Sequence, residues 1–300
     1  MSSAAATTLS PALKALINAP HARGAAIPTS PHLSSLFKRI EDDARSKDIG
    51  IRTWLCLSTA SLVTMNSPAA VCDLYSYATR SMAKAEDKAM AAAVMRETGL
   101  KCISFSGQTI NALGALRAHL EDDVKTHLST EPTRQPTPEN IESISARARD
   151  LWDSIYDPHS SKLLSKLSCS HPDLPVHILN SHYGALLSDP PFQANDNDND
   201  NNLPGLAKLG HAKIGRTLTS VVAIACLRAQ QGVGPQVTSH VFGLKKSVLE
   251  GGGLGDELPI QGQAFLASDE GAQWVLRTVD EVVASLRPDG SSSFAATAKL

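Results

Sequence analysis

Residues 214–249, IGRTLTSVVAIACLRAQQGVGPQVTSHVFGLKKSVL, decide the reading of the chain. Leu218, Val221, Val222, Ala225 and Ala229 recur at three- and four-residue steps, the spacing of one buried helical face. Ile224 and Leu227 lie off that stripe, so the helix from Ile214 to Gln230 should be covered on more than one side. Gly232 and Gly234 end it. Pro235 suits the first turn of a second helix, where its missing N–H leaves no bond unmade. That helix carries Val237, Val241, Leu244 and Val248 at core spacing. His240 lies three residues after Val237 and four before Leu244, which points it inward.

A buried helix, a short turn and a second helix with a histidine at this place resemble the alkylhydroperoxidase-D-like and carboxymuconolactone decarboxylase superfamily, in a fungal-type branch. The family's hallmark is Cys-x-x-Cys-x-x-x-His. His240 matches the histidine, and Val233 and Gln236 stand at the cysteine positions. The family's glutamate would fall near Val221. The resemblance implies an all-α fold of two related halves, in a protein that forms homo-oligomers. Peroxide reduction needs an attacking thiolate and a resolving thiol. Valine cannot attack and glutamine cannot resolve, so dithiol peroxidase activity is not expected at this motif. What the resemblance leaves is a proton-transfer enzyme, decarboxylase- or isomerase-like, acting on a small oxidised metabolite through His240. The alternative is a non-catalytic structural or interaction protein that kept the fold.

Three hundred residues with 42% apolar side chains can bury a real core. Aromatics are only 4%, which favours helices packed through small side chains. A formal charge of −2 with no basic stripe argues against nucleic acid as a partner. No apolar run reaches membrane-spanning length, and no secretory signal is visible. Five scattered cysteines (Cys56, Cys72, Cys102, Cys169, Cys226) read as buried free thiols of an intracellular protein.

Residues 1–31 are a lead-in without acidic side chains. They read either as a mitochondrial transit segment or as a short helix, Pro11–Ile17, followed by a Pro-rich loop. The all-α domain is placed at 32–287, in halves 32–128 and 138–287. Leu33, Leu36, Phe37 and Ile40 face inward on a helix over 32–48, and 51–65 is a buried helix stopped by Asn66-Ser-Pro68. Ser67 caps the next helix, with Val71, Leu74, Tyr75 and Ala78 on its buried face. A long helix from Lys84 carries Met90, Ala93, Val94, Glu97 and Leu100 and ends near Phe105-Ser-Gly107. Another begins near Thr109 with Ile110, Leu113, Leu116 and Leu120 inward. The pair 84–120 echoes 214–249, and in that overlay Asn111 takes the place of His240.

Residues 129–137, STEPTRQPT, are a linker by composition. Thr137, Pro138 and Glu139 open a helix that reaches Tyr156. A short helix covers 160–168, and another opens near Pro175 with His177, Ile178, Tyr183 and Leu186. Residues 190–205 are a polar, low-complexity mobile loop, and 250–256 a flexible glycine run that is not a phosphate loop. Ser268 caps the last helix, with Asp269 and Glu270 in its first turn and Arg287 at its end. A loose tail, 288–300, ends in Ala298-Lys299-Leu300. That tripeptide resembles the peroxisomal address read by an import receptor, so the peroxisome matrix is the expected location and the mitochondrion the alternative.

His240 is the candidate general acid or base, because imidazole titrates near neutrality. Gln236, one turn earlier, and Asn111 are candidate substrate contacts. Glu97 lies four residues before Lys101, which fits a surface ion pair. The sharper expectation pairs Glu97 with Arg216 across the two halves. His171, His177 and His182 have spacings that do not share an α-helical face, so no metal site is expected there. No cofactor motif is present.

Overall fold

The computed structural model describes residues 9–17, 19, 28–106, 108–191, 212–248 and 259–286. Among these the regular elements are all helical. In chain order they are α1 (Pro11–Ile17), α2 (Leu33–Ser46), α3 (Ile51–Thr64), α4 (Pro68–Thr79) and α5 (Ala85–Lys101), which tightens into a 3₁₀ turn at Cys102–Ser104. Next come α6 (Thr109–His119), α7 (Asp122–Thr126), α8 (Ile141–Tyr156), α9 (Ser160–Ser170) and α10 (Asp173–His177). α10 runs on into a π-helical stretch, Ile178–Leu187. The last four are α11 (Gly215–Gln230), α12 (Gly234–Lys246), α13 (Gln263–Leu266) and α14 (Asp269–Leu286).

α3 and α11 form the axis and pack against each other. Every residue of α3 from Thr53 to Thr64 is buried, as is every residue of α11 from Arg216 to Leu227. Ser, Ala and Thr on both helices allow the close approach. Ser61 and Thr64 donate to the carbonyls of Leu57 and Ala60 at 2.8 Å, while the hydroxyls of Ser58, Thr59 and Ser220 are buried without a hydrogen-bond partner. α5, α4 and α14 cover α3, while α12 and α14 cover α11. One hydrophobic core therefore runs from Leu33 to Leu286. A second cluster joins α8 to the π stretch through Ala148, Leu151, Trp152, Ile155, Tyr183 and Leu187.

The turn between α11 and α12 falls where the glycines place it. Gln231 and Gly232 both take positive φ, at 66° and 74°. Ser268 caps α14 by accepting from the Gly271 N–H at 3.0 Å.

Several local expectations need correction. Ile110 is 83% exposed, because the buried stripe of α6 is Thr109, Ala112 and Leu116. Val248, just past the end of α12, is exposed. α8 starts at Ile141, not Pro138, because the Asn140 side chain accepts from the Thr137 N–H at 2.8 Å and holds 137–140 in a turn. Leu187, not Leu186, is the buried leucine of the π stretch.

Gly107, residues 192–205 of the expected mobile loop, 250–256, and the tail with Ala298, Lys299 and Leu300 lie outside the described residues. So do Arg287, residues 1–8 and residues 20–27.

Candidate functional site

The first surprise is at Glu97 and Lys101, which are not a surface pair. α5 carries Ala91, Ala92, Ala93, Val94 and Met95 buried in succession, so it is enclosed on several sides. Glu97 is 7% exposed and Lys101 0%. Lys101 Nζ lies 2.8 Å from Asp189 Oδ1, donates to the Leu187 carbonyl, and stands 3.3 Å from Thr219 Oγ1. Asp189 also accepts from the Gly215 N–H at 2.6 Å, which seats a carboxylate on the N-terminus of α11. Glu97 is bound by both guanidinium arms of Arg134, which comes from the 129–137 segment. Arg134 in turn lies 3.8 Å from Asp189. Two carboxylates and two cations thus form one chain of charge: Glu97, Arg134, Asp189, Lys101.

The two carboxyls respond in opposite directions. Burial lifts the Glu97 carboxyl above its usual range, and Arg134 and Lys101 pull it back only in part. Burial would also raise Asp189, but Lys101, the Gly215 N–H and Arg134 outweigh it and hold that carboxyl low.

Glu97 and Arg134 face a cleft of about 440 Å³ between α5, α6 and the 131–135 segment, with Leu100 and Leu113 on its apolar side. Arg96 and Glu131 stand at its edge and also line a neighbouring chamber of about 320 Å³. The segment read as a linker is therefore one wall of the site. Nothing in its composition signals that Arg134 turns inward. A better clue is α5 itself, whose run of small apolar residues leaves little exposed face for Glu97 or Lys101.

His240 points inward, as its spacing requires, and is 3% exposed. Its Nε2 lies 3.3 Å from the Tyr156 hydroxyl, which lies 2.8 Å from the Tyr183 hydroxyl. Phe105 and Tyr156 stand edge-on to the imidazole, with ring centroids 5.7 and 5.9 Å away. Its Nδ1 is buried with no hydrogen-bond partner. Burial, helped by the nearby Arg216 charge, lowers the imidazole to about 4, so His240 is neutral at pH 7. Neither of the two clefts above reaches it.

Arg216 and Glu97 are not partners, which corrects the pairing expected across the two halves. The Arg216 guanidinium donates to the Ser154 carbonyl at 2.6 Å and the Gly243 carbonyl at 2.5 Å, tying α11 to α8 and α12. Gln236 is exposed at the start of α12. Asn111 is exposed too, with its amide 3.4 Å from Asn66 Oδ1, so it does not occupy a buried place like that of His240.

His177 and His182 come to share a face because the stretch from Ile178 is π-helical rather than α-helical. A π-helix brings residues five apart onto one face, and the rings of His177 and His182 lie 5.2 Å apart. Among the described residues no group of three metal-binding side chains forms. Cys56, Cys102 and Cys226 are buried, Cys72 is half-buried and Cys169 is exposed. Cys102 and Cys226, far apart in sequence, bring their sulfurs within 3.5 Å. Contact with Cys226 and burial push the Cys102 thiol well up, so it stays protonated at neutral pH.

No protein-family model, curated protein or solved structure matches this chain.

Proposed function

We propose that the chain is an alkylhydroperoxidase-D-like helical protein whose working site has moved from the thiol position to the Glu97 cleft, where it performs proton transfer on a small oxidised acid. One observation carries this reading: a nearly buried carboxyl, held above its usual range, on the wall of an open cleft beside two arginines. Arg134 and Arg96 supply guanidiniums for a substrate carboxylate. An anion that takes Arg134 removes the charge that offsets the burial of Glu97. The carboxyl then takes up a proton from solvent and becomes a general acid positioned over the bound acid. When the carboxyl returns that proton to solvent, the carboxylate withdraws a proton from the carbon next to the carbonyl, and the electron pair passes to the carbonyl oxygen as an enolate.

The test is solvent deuterium exchange at the carbon next to the carbonyl of 2-oxobutyrate, followed by proton NMR. The reading expects exchange above the protein-free rate, lost in Glu97→Gln and Arg134→Gln. Exchange at the protein-free rate, or exchange untouched by both variants, overturns it.

A second reading, a non-catalytic protein that kept the fold, is favoured by His240. The imidazole is neutral, covered by aromatic rings and clear of both clefts. In that case Glu97 and Arg134 serve only to anchor the 129–137 segment.

A further inference from the structure

The chamber beyond Arg96 has a different character from the Glu97 cleft. It is bounded by α5, α6, α7 and the segment from Leu128 to Pro132, is open to solvent on one side, and has a volume of about 320 Å³. Three cations line it, one from each helix: Arg96 from α5, Arg117 from α6 and Lys125 from α7. Their partners do not account for them. Arg96 is half-buried, yet its guanidinium has only a long contact of 3.4 Å to the Ser129 carbonyl. Arg117 makes no ion pair or hydrogen bond among the described residues. Lys125 pairs only with Asp122, whose side chain is almost wholly in solvent. Glu131 also lines the chamber, but among the described residues its carboxylate forms no ion pair.

Like charges gathered around a void, with one of them half-buried and poorly bonded, are unfavourable unless an anion completes them. Burial and the nearby Arg117 charge lower Arg96 against the opposing pull of the Glu97 carboxylate, and the guanidinium stays protonated nonetheless. A planar carboxylate is satisfied by one guanidinium fork. Three cations arriving from three directions suit a doubly charged tetrahedral group with several acceptor oxygens.

We infer that the Arg96–Arg117–Lys125 chamber is a binding site for the phosphate group of a small phosphorylated molecule. This goes beyond the reading of the Glu97 cleft: Arg96 borders both, whereas Arg117 and Lys125 line this chamber and not that cleft.

The experiment is titration of the full chain with inorganic phosphate at low ionic strength near pH 7, by calorimetry, with acetate as competitor. The site predicts saturable one-to-one binding. Arg117→Ala should weaken it about tenfold or more, the scale of one lost charge-assisted hydrogen bond. The double variant Arg117→Ala, Lys125→Ala should weaken it further. Both side chains reach solvent, so far-ultraviolet circular dichroism should match wild type, which separates lost binding from lost fold. Absence of saturable binding, or equal binding by wild type and both variants, overturns the site. Acetate competing as well as phosphate, with that competition lost in the Arg117→Ala, Lys125→Ala variant, does so too, by making it a carboxylate site. A failure here leaves acid binding at Arg134 standing, so the two proposals fall separately.

Discussion

Lys101 Nζ lies 2.8 Å from Asp189 Oδ1, and no part of the lysine side chain reaches solvent. This contact ties the end of α5 to the segment that follows the π stretch, and through the Asp189 carboxylate, which also accepts from the Gly215 N–H, to the start of α11. A buried charge left without its partner is far more costly than the pair is stabilising.

Lys101→Met should therefore destabilise the protein by about 3–5 kcal/mol, read from urea unfolding. Asp189→Asn on top of Lys101→Met should recover part of the loss, because it removes the stranded carboxylate. A Lys101→Met loss below about 1 kcal/mol would show that the pair is not buried as described.

His240 gives stability a pH dependence of definite sign. Its folded value, about 4, lies below the ordinary 6.5. The stabilisation is thus complete above pH 6.5 and drains away as pH falls towards 4. A shift of this size corresponds to something on the order of 3 kcal/mol. Asp189, held low, acts in the same direction but below pH 3.8, while Glu97, held high, loses its contribution as pH rises above 4.5. Comparing wild type with His240→Leu isolates the histidine. Between pH 6.5 and 4 the wild type should lose on the order of 3 kcal/mol more than the variant. Parallel stability curves would place His240 in contact with solvent.

Three glycines rank by what an added methyl would meet. At Gly271 the new carbon would stand 1.9 Å from the Phe265 carbonyl oxygen, so backbone must move. At Gly243 it would stand 2.9 Å from Ile155 Cγ2, at the α8–α12 contact that encloses His240. At Gly99 it would meet only the Leu113 side chain, 2.8 Å from Cδ2 and 3.5 Å from Cγ, and that side chain can swing towards the cleft. Alanine substitution should cost most at Gly271 and roughly 1–3 kcal/mol at Gly243. At Gly99 the cost should be under ~1 kcal/mol, because alanine's better helix propensity offsets the clash. Thermal unfolding of the three variants checks the order.

The helical architecture was legible because its signals are local. The stripes of α2 and α11, the glycine turn before α12 and the Ser268 cap all follow from spacing within one segment. The inward aim of His240 was legible for the same reason. Its setting was not, because Tyr156 and Tyr183 come from α8 and the π stretch, and only packing brings them together. Glu97 and Lys101 were misread because four-residue spacing describes a surface pair and a doubly enclosed helix equally well. Their true partners, Arg134 and Asp189, sit in segments whose composition says only loop. The contact between His177 and His182 was lost to an assumed α-helical period in a stretch that adopts the wider π turn.

The most direct test of the central claim is the proton balance of acid binding at the Glu97 cleft. Calorimetric titration with 2-oxobutyrate near pH 7, in buffers of different ionisation enthalpy, counts the protons exchanged. The account predicts one-to-one binding with uptake of a proton by wild type, affinity that falls as pH rises, and binding without uptake by Glu97→Gln. Binding with no proton uptake, or no binding at all by a folded wild-type protein, would contradict it.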